Sequence, residues 1–403
     1  MNFQKWLLLI VAVFLMCCDE QGDDGGKRAV GDGGQSQENS SAHWIEISEE
    51  YLEQYKDSDD VTLSSLAESA AQQALSGDST APALIQLAKV TAIRCQFDEA
   101  VGLLTRAIRE SPYQADAWGM LGDAFLESGK YRSADSCYQV MYRLDEGFAS
   151  LRRIAREKTM FGSFEEAVEY LDRAIAETER GDIADRDVGD AHAQLAQLFF
   201  AHGYIEAALE SSGRSLVYLP GRARYLALRA DILRVSGRPV EAEQIYAKLA
   251  SLSPHPFYKS MLARFYASRG EHVSADSLVQ LAVAGYDKWS VEYFDLIARC
   301  YIEFLLDWDI EPERALELAQ SEKKKRRDIY VYELLARAYK ANQQYDLAWS
   351  SISLALRKRT TDPRIVYRAS VIAKAAGRDE KYDTFADRSL QLNPLAARIY
   401  GAW

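Results

Sequence analysis

The side chains best suited to chemistry in this 403-residue chain are five histidines and five cysteines. The histidines are His43, His192, His202, His255 and His272. A helical metal face needs ligands three or four residues apart. His192 and His202 are ten apart, and the others are isolated. Cys95, Cys137 and Cys300 are widely separated and show no C-x-x-C spacing, which supports neither zinc nor a redox dithiol. Glu165 and Glu166 stand where a helix would start, a place that favours carboxylates for electrostatic reasons alone. No phosphate-loop, nucleophile-elbow or H-E-x-x-H pattern occurs. The expectation is a non-catalytic chain with no metal and no cofactor, its histidines solvated or loosely packed.

Charge narrows the partner. The net charge is −12, whereas a nucleic-acid binder needs a basic stripe to displace counterions. One basic run exists, Lys323-Lys324-Lys325-Arg326-Arg327. It falls at the end of a helical pattern, where cations suit the dipole, so a solvated last turn is expected. Contact with a membrane surface is the alternative.

The first residues give an address. Lys5 precedes an apolar run, Trp6–Met16, of 11 residues. That is too short for a membrane span, which needs about 20, and fits the core of a signal peptide. The run ends in Cys17-Cys18-Asp19, which resembles a bacterial lipoprotein signal. The resemblance implies a signal over 1–18 and lipid attachment at Cys18. Residues 19–43 are polar and Gly/Ser-rich, too poor in apolar groups to fold, and read as a disordered tether spanning ~25–30 Å. Residues 44–80 read as capping helices.

From residue 81 a repeat dominates. Small residues recur at Ala100, Ala134, Ala167, Ala208, Ala242, Ala275, Ala315 and Ala348, with spacings of 33, 34, 40 or 41. Twelve residues earlier in most units stands a second small residue: Ala88, Gly122, Ala155, Ala196, Ala230, Ala263 or Ala336. In one unit the partner is Ala298, with five extra residues expected in the turn between helices. A Gly lies five before the second position in six units, and Pro closes four units. Paired small residues let two antiparallel helices approach. Gly suits the left-handed turn between them, and Pro blocks continuation. One such pair cannot bury its apolar faces alone, so neighbours must stack.

The pattern resembles the tetratricopeptide repeat, most clearly in 115–147, with Trp118, Leu121, Gly122, Phe125, Ala134 and Tyr138 in the signature slots. The resemblance implies an all-α fold, a right-handed α-solenoid of about nine helix–turn–helix units over 81–396, followed by a tail, 397–403, packed on the last helix. An insertion is expected near 178–188. The body also resembles bacterial exported tetratricopeptide proteins ending in Leu392-Asn393-Pro394. In such arrays first helices line the concave face, which makes Arg152, Arg156, Phe200, Arg234 and Arg264 candidate groove contacts beside Asp123 and Asp231. An Asn/Lys carboxylate clamp is not expected, because none of the four Asn lies on a first helix. The resulting expectation is a protein- or peptide-binding scaffold tethered to a bacterial envelope, facing periplasm or exterior. An envelope chaperone or secretion accessory is the alternative.

Overall fold

The computed structural model describes residues 40–77, 79–178 and 183–401. The leader, Cys18 and residues 19–39 of the tether lie outside them. The body beginning at Ser40 is described here. Among the described residues it is all helical, with helices in antiparallel pairs.

The helices are α1 (Ser41–Ser58), α2 (Thr62–Gly77), α3 (Ala81–Ile93), α4 (Phe97–Glu110), α5 (Ala115–Glu127), α6 (Tyr131–Leu144) and α7 (Phe148–Phe161). Next come α8 (Phe164–Glu177), α9 (Asp185–Ala201), α10 (Ile205–Tyr218), α11 (Ala223–Ser236), α12 (Pro239–Leu252), α13 (Pro256–Ser268) and α14 (His272–Ser290). The last are α15 (Phe294–Asp307), α16 (Pro312–Lys325), α17 (Ile329–Ala341), α18 (Tyr345–Leu356), α19 (Pro363–Ala375), α20 (Asp379–Leu392) and α21 (Ala396–Tyr400). The nine expected pairs run from α3/α4 to α19/α20, and α1/α2 forms a further pair before them.

The repeat spacing translates directly into packing. Every recurring alanine from Ala100 to Ala348 is at most 1% exposed. Gly122 is equally committed, since a Cβ there would lie 2.5 Å from the Tyr138 ring. The left-handed turn is required by the geometry and not by glycine as such. In two of the three units that lack the Gly, Cys95 and Gln343 occupy the same slot at φ 60° and 58°. Gly162 departs from the pattern at φ −97°, and there a capping box between Ser163 and Glu166 opens α8 instead.

Three expectations about irregular segments are corrected. Ser40 caps α1, so the helix begins inside the stretch assigned to the tether and runs ahead of residue 44. The five extra residues of the seventh unit do not sit in its turn. They lengthen the preceding second helix, α14, to 19 residues against 14 for α12. Tyr286 and Trp289, at 0% and 8% exposure, continue its buried face, so nothing stops it earlier. The tail does not rest on α20. The Tyr400 ring lies tilted beside Tyr367 of α19, centroids 6.3 Å apart, while Leu395 and Ile399 join the cluster around Phe200 and Ile232.

That last contact belongs to a larger arrangement. The turn inside one pair repeatedly meets the loop that precedes the pair six units later. Ser253 Oγ donates to Ser58 O at 2.8 Å. Arg327 N donates to Ser128 O at 3.1 Å, and Ile329 N to Tyr131 Oη at 2.8 Å. Thr361 N donates to Met160 O at 3.1 Å, joined by Thr360 Oγ1 at 2.8 Å. Asn393 Nδ2 donates to Ala201 O at 2.7 Å. Apolar side chains follow the same route: Leu126, Tyr138 and Met160 share one buried cluster with Ile329, Ala336 and Ile372. The solenoid therefore closes on itself every six pairs, successive turns touching along a seam of joints.

Each joint buries polar groups that must be partnered. His255, at 5% exposure, is one. Its Nδ1 accepts from Phe257 N at 3.1 Å to open α13, and its ring meets Trp289 edge-on at 5.1 Å. His192 and His202 are also buried, at 6% and 8%, so three of the five histidines are packed and not solvated. Burial first, then Arg224 and Lys259, push the His255 ring down to about 3. A folded value below the unfolded one means that the unfolded chain takes up the proton first. Stability attributable to His255 is therefore whole above about pH 6.5 and falls as pH drops toward 3. The expected loss between pH 7 and pH 5 is about 2 kcal/mol. His255→Asn, which can still cap, should flatten that slope in urea unfolding. An unchanged slope would show that other groups carry it.

Candidate functional site

The first helices of successive pairs turn a common charged face toward one another. Along these helices charged residues recur every third or fourth position, which places them on one face. They are Asp123 and Glu127 on α5, and Arg153 and Arg156 on α7. Arg299, Glu303 and Asp307 follow on α15, Glu333 and Arg337 on α17, and Arg364 and Arg368 on α19. The residues meet across the interior. Arg153 reaches Asp116 and Asp123, each at 3.0 Å. Arg156 pairs with Glu127 and lies 3.8 Å from Asp123. Asp307 holds both Arg264 and Arg337 at 2.5 Å. Glu303 pairs with Arg364 two units further on, and this skipped neighbour requires tight inward curvature. Glu127 bridges turns, 3.9 Å from Arg299 and 3.8 Å from Arg326.

Protein surrounds this inner face, yet solvent reaches it: the Arg264, Glu303, Asp307 and Arg364 side chains are 21–31% exposed. Burial would raise the Glu127, Glu303 and Asp307 carboxyls, but facing arginines outweigh it and hold all three below their ordinary values. They stay ionised at neutral pH, and the face is a lattice of paired opposite charges.

The candidate groove residues divide. Arg156 is part of the inner lattice, and so is Arg264. Arg152 points elsewhere, over the Phe148 ring at 5.4 Å and 4.0 Å from Asp187. Arg234 lies 4.0 Å from Asp231, whose carboxylate also accepts from Tyr246 Oη at 2.6 Å. Phe200 is 8% exposed in a cluster with Ala208, Ile232 and Val235, so it is core and not groove surface. The residues missed from sequence are those of α15, α17 and α19. Their signal was the i, i+4 run Arg299, Glu303, Asp307, echoed one and two units later.

The basic run is a solvated end only in part: Lys324, Lys325 and Arg327 are exposed as expected, and Arg326 is buried. Arg326 is 4% exposed, 2.8 Å from Glu322 and stacked over Phe97 at 5.6 Å. Lys325 pairs with Asp295 over the Phe294 ring. The run builds the joint between turns, with Arg327 N on Ser128 O.

The chemical inventory is passive. Burial pushes the Cys137 thiol up to about 11 and Cys300 up to about 12, and raises Cys95 as well, so none is poised as a thiolate. Among the described residues no group of His, Cys, Asp and Glu is arranged to hold a metal, and no helix is long and apolar enough to cross a membrane.

Comparison with known proteins fits this architecture. The tetratricopeptide repeat family model matches residues 96–146, which span α4–α6. Tetratricopeptide repeat protein 37 of Xenopus laevis is 26% identical over 139 residues, 34% of this chain and 9% of that protein. Superkiller protein 3 of Schizosaccharomyces pombe is 29% identical over 122 residues, 30% of this chain and 9% of that protein. The matched stretches thus cover under a tenth of those relatives. Among solved structures, the human IFIT1 dimer with m7Gppp-AAAA superposes at a TM-score of 0.50 and 16% identity, over 79% of this chain and 72% of that one, a likeness of fold. Helix pairing, repeat spacing and the family match over 96–146 together make the chain an all-α solenoid of tetratricopeptide-like helix pairs.

Proposed function

We propose that the chain is a non-catalytic scaffold that binds a protein or peptide along its inner face, tethered to a bacterial envelope by a lipid on Cys18. The observation that carries the binding reading is the inner lattice itself. Its ion pairs are solvent-reached and exchangeable, so an extended ligand can trade partners with them along several units at little cost in charge. Such a surface supplies many modest contacts and no single deep pocket. Binding should therefore weaken with salt. The net charge of −12 and the alternating signs of the lattice favour a polypeptide over a phosphodiester strand. The envelope address rests on the leader, Cys18 and the polar segment behind it.

The exposed apolar residues Val217, Val240, Leu252, Val273 and Leu281 favour a second reading. All lie on second helices, where a holdase would meet unfolded clients. Crosslinking capture from intact cells, with the full chain and with Cys18→Ala, separates the two. One dominant partner, reduced when the anchor is lost, is expected of the scaffold. A broad set of unfolded envelope proteins, caught with or without the anchor, would replace it by the holdase.

A further inference from the structure

α8 is a second helix with an uncovered apolar face. Its packed side carries Ala167, Leu171 and Ala174. Outside that side run two rows of side chains, each repeating every four residues. Phe164, Val168, Asp172 and Ala176 form the first row, and Glu165, Glu169 and Arg173 the second. Together they line an open groove of about 560 Å³. From Phe164 to Ala176 it follows the helix for about 18 Å, at 1.5 Å per residue. Tyr204, 53% exposed, stacks on Phe164 at 4.8 Å and extends the apolar end.

The rim of this groove is charged, and unevenly. Three carboxylates, Glu165, Glu169 and Asp172, stand against one guanidinium, Arg173, which leaves 1 − 3 = −2. Arg173 is already engaged: it donates to Tyr142 Oη at 3.1 Å and covers the Tyr170 ring at 5.4 Å. Glu169 acts on Arg173, and Glu165 on His202, only through space. His202 brings no charge, because its burial holds the ring below its ordinary value. Partial burial raises the Asp172 carboxyl, and no cation offsets it.

These features select a partner. An acidic rim repels phosphate and attracts Lys or Arg. Side chains of a single helix line the groove, so it offers no unpaired backbone to an extended strand. Rows four residues apart instead accept the matching ridge of a second helix. We propose that this outer face of α8 docks one basic amphipathic helix of a partner protein, its apolar residues on Phe164 and Val168 and a Lys or Arg beside Asp172 and Glu169. Helix-in-groove docking uses apolar anchors at i, i+3 or i+4, and i+7, which the length of the groove accommodates. The site lies apart from the inner face and does not depend on the scaffold reading above. It also differs from a holdase surface, which would take apolar side chains whatever charge accompanies them.

The test uses the full chain and a fluorescent 14-residue helix of Leu and Lys, with Leu spaced three and four apart. A counterpart carries Glu in place of every Lys. Wild type, Asp172→Lys, Val168→Thr and Glu110→Lys are compared by fluorescence polarisation, thermal unfolding and sedimentation velocity. Asp172 lies at the surface, and Val168→Thr keeps the side-chain shape, so both variants should stay folded. Glu110, exposed at the end of α4, gives the same change in net charge away from the groove. The expected result is at least tenfold tighter binding of the Lys helix than of the Glu helix by wild type. Asp172→Lys should weaken the Lys helix at least tenfold and Val168→Thr about threefold, while Glu110→Lys changes it less than twofold. Equal losses in Asp172→Lys and Glu110→Lys would mean that net charge alone attracts the peptide, and the proposal would be wrong. Binding untouched by Asp172→Lys, or no binding of the Lys helix at all, removes the site. Equal binding of the Lys and Glu helices replaces it by an unselective apolar surface. A dimer of the chain that Val168→Thr dissolves gives the groove to a second copy and overturns the proposal as well.

Discussion

Gly129→Ala should unfold at markedly lower urea than Gly237→Ala, although both glycines have nearly the same backbone. Their φ angles are +78° and +87°. An alanine in the left-handed region costs about 1–2 kcal/mol wherever it sits. At Gly237 that is the whole effect, because an added Cβ has nothing within 4 Å. At Gly129 the Cβ would stand 2.4 Å from Arg327 O and 2.7 Å from Asp328 N, backbone atoms of the next superhelical turn. Neither can swing aside as a side-chain tip would. The strands of the joint must part, and the Arg327-to-Ser128 hydrogen bond is lost with them. The expected penalty is about 3–4 kcal/mol, at the upper end for a point substitution. Equal midpoints for the two variants would mean that the turns do not touch at Gly129.

Asp328→Ala should be comparably severe through charge instead of shape. Asp328 is 1% exposed. One carboxylate oxygen accepts from Tyr330 N at 2.8 Å and Val331 N at 3.0 Å, which caps α17. The other pairs with Arg299 and lies 4.0 Å from Arg326. Loss of the cap costs about 1 kcal/mol. Removing one partner from a buried ionic cluster costs about 3–5 kcal/mol, because the arginines remain. Glu322 and Glu127 still serve those arginines, so a total of about 3–4 kcal/mol is expected. Asp328→Asn keeps an acceptor for the cap and loses the charge, and should fall between the two. If Asp328→Ala and Asp328→Asn unfold alike, the ionic half of the joint contributes nothing.

The repeat was legible because it is local. Helix pairing within a unit depends on residues twelve or thirty-four apart, and the small residues, turn glycines and closing prolines each mark a slot. Closure of the coil was not legible. Its contacts join residues such as Ser128 and Arg327, or Met160 and Thr361, and no single position carries a pattern for them. The basic run at 323–327 shows how this misleads. Judged by its own helix it is a solvated end, yet Arg326 is buried because another turn of the coil covers it. Phe200 fails for the opposite reason. First helices have an inward face and a packed face, and a lone aromatic does not say which it occupies. The charged runs on α15, α17 and α19 did carry that information, through their four-residue spacing. His255 was judged by its place in a loop, and that loop is a joint.

The closed coil is tested most directly by hydrogen exchange in the loops 326–331 and 359–362 of the wild-type chain. Lone inter-pair loops exchange quickly, having few protected amides. Here the amides of Arg327, Ile329 and Thr361 donate to Ser128 O, Tyr131 Oη and Met160 O across the seam. They should exchange as slowly as the helices beside them, and Gly129→Ala should release Arg327 and Ile329 while leaving Thr361 protected. Rapid exchange at all three amides in the wild type would contradict the account, and the solenoid would then be open.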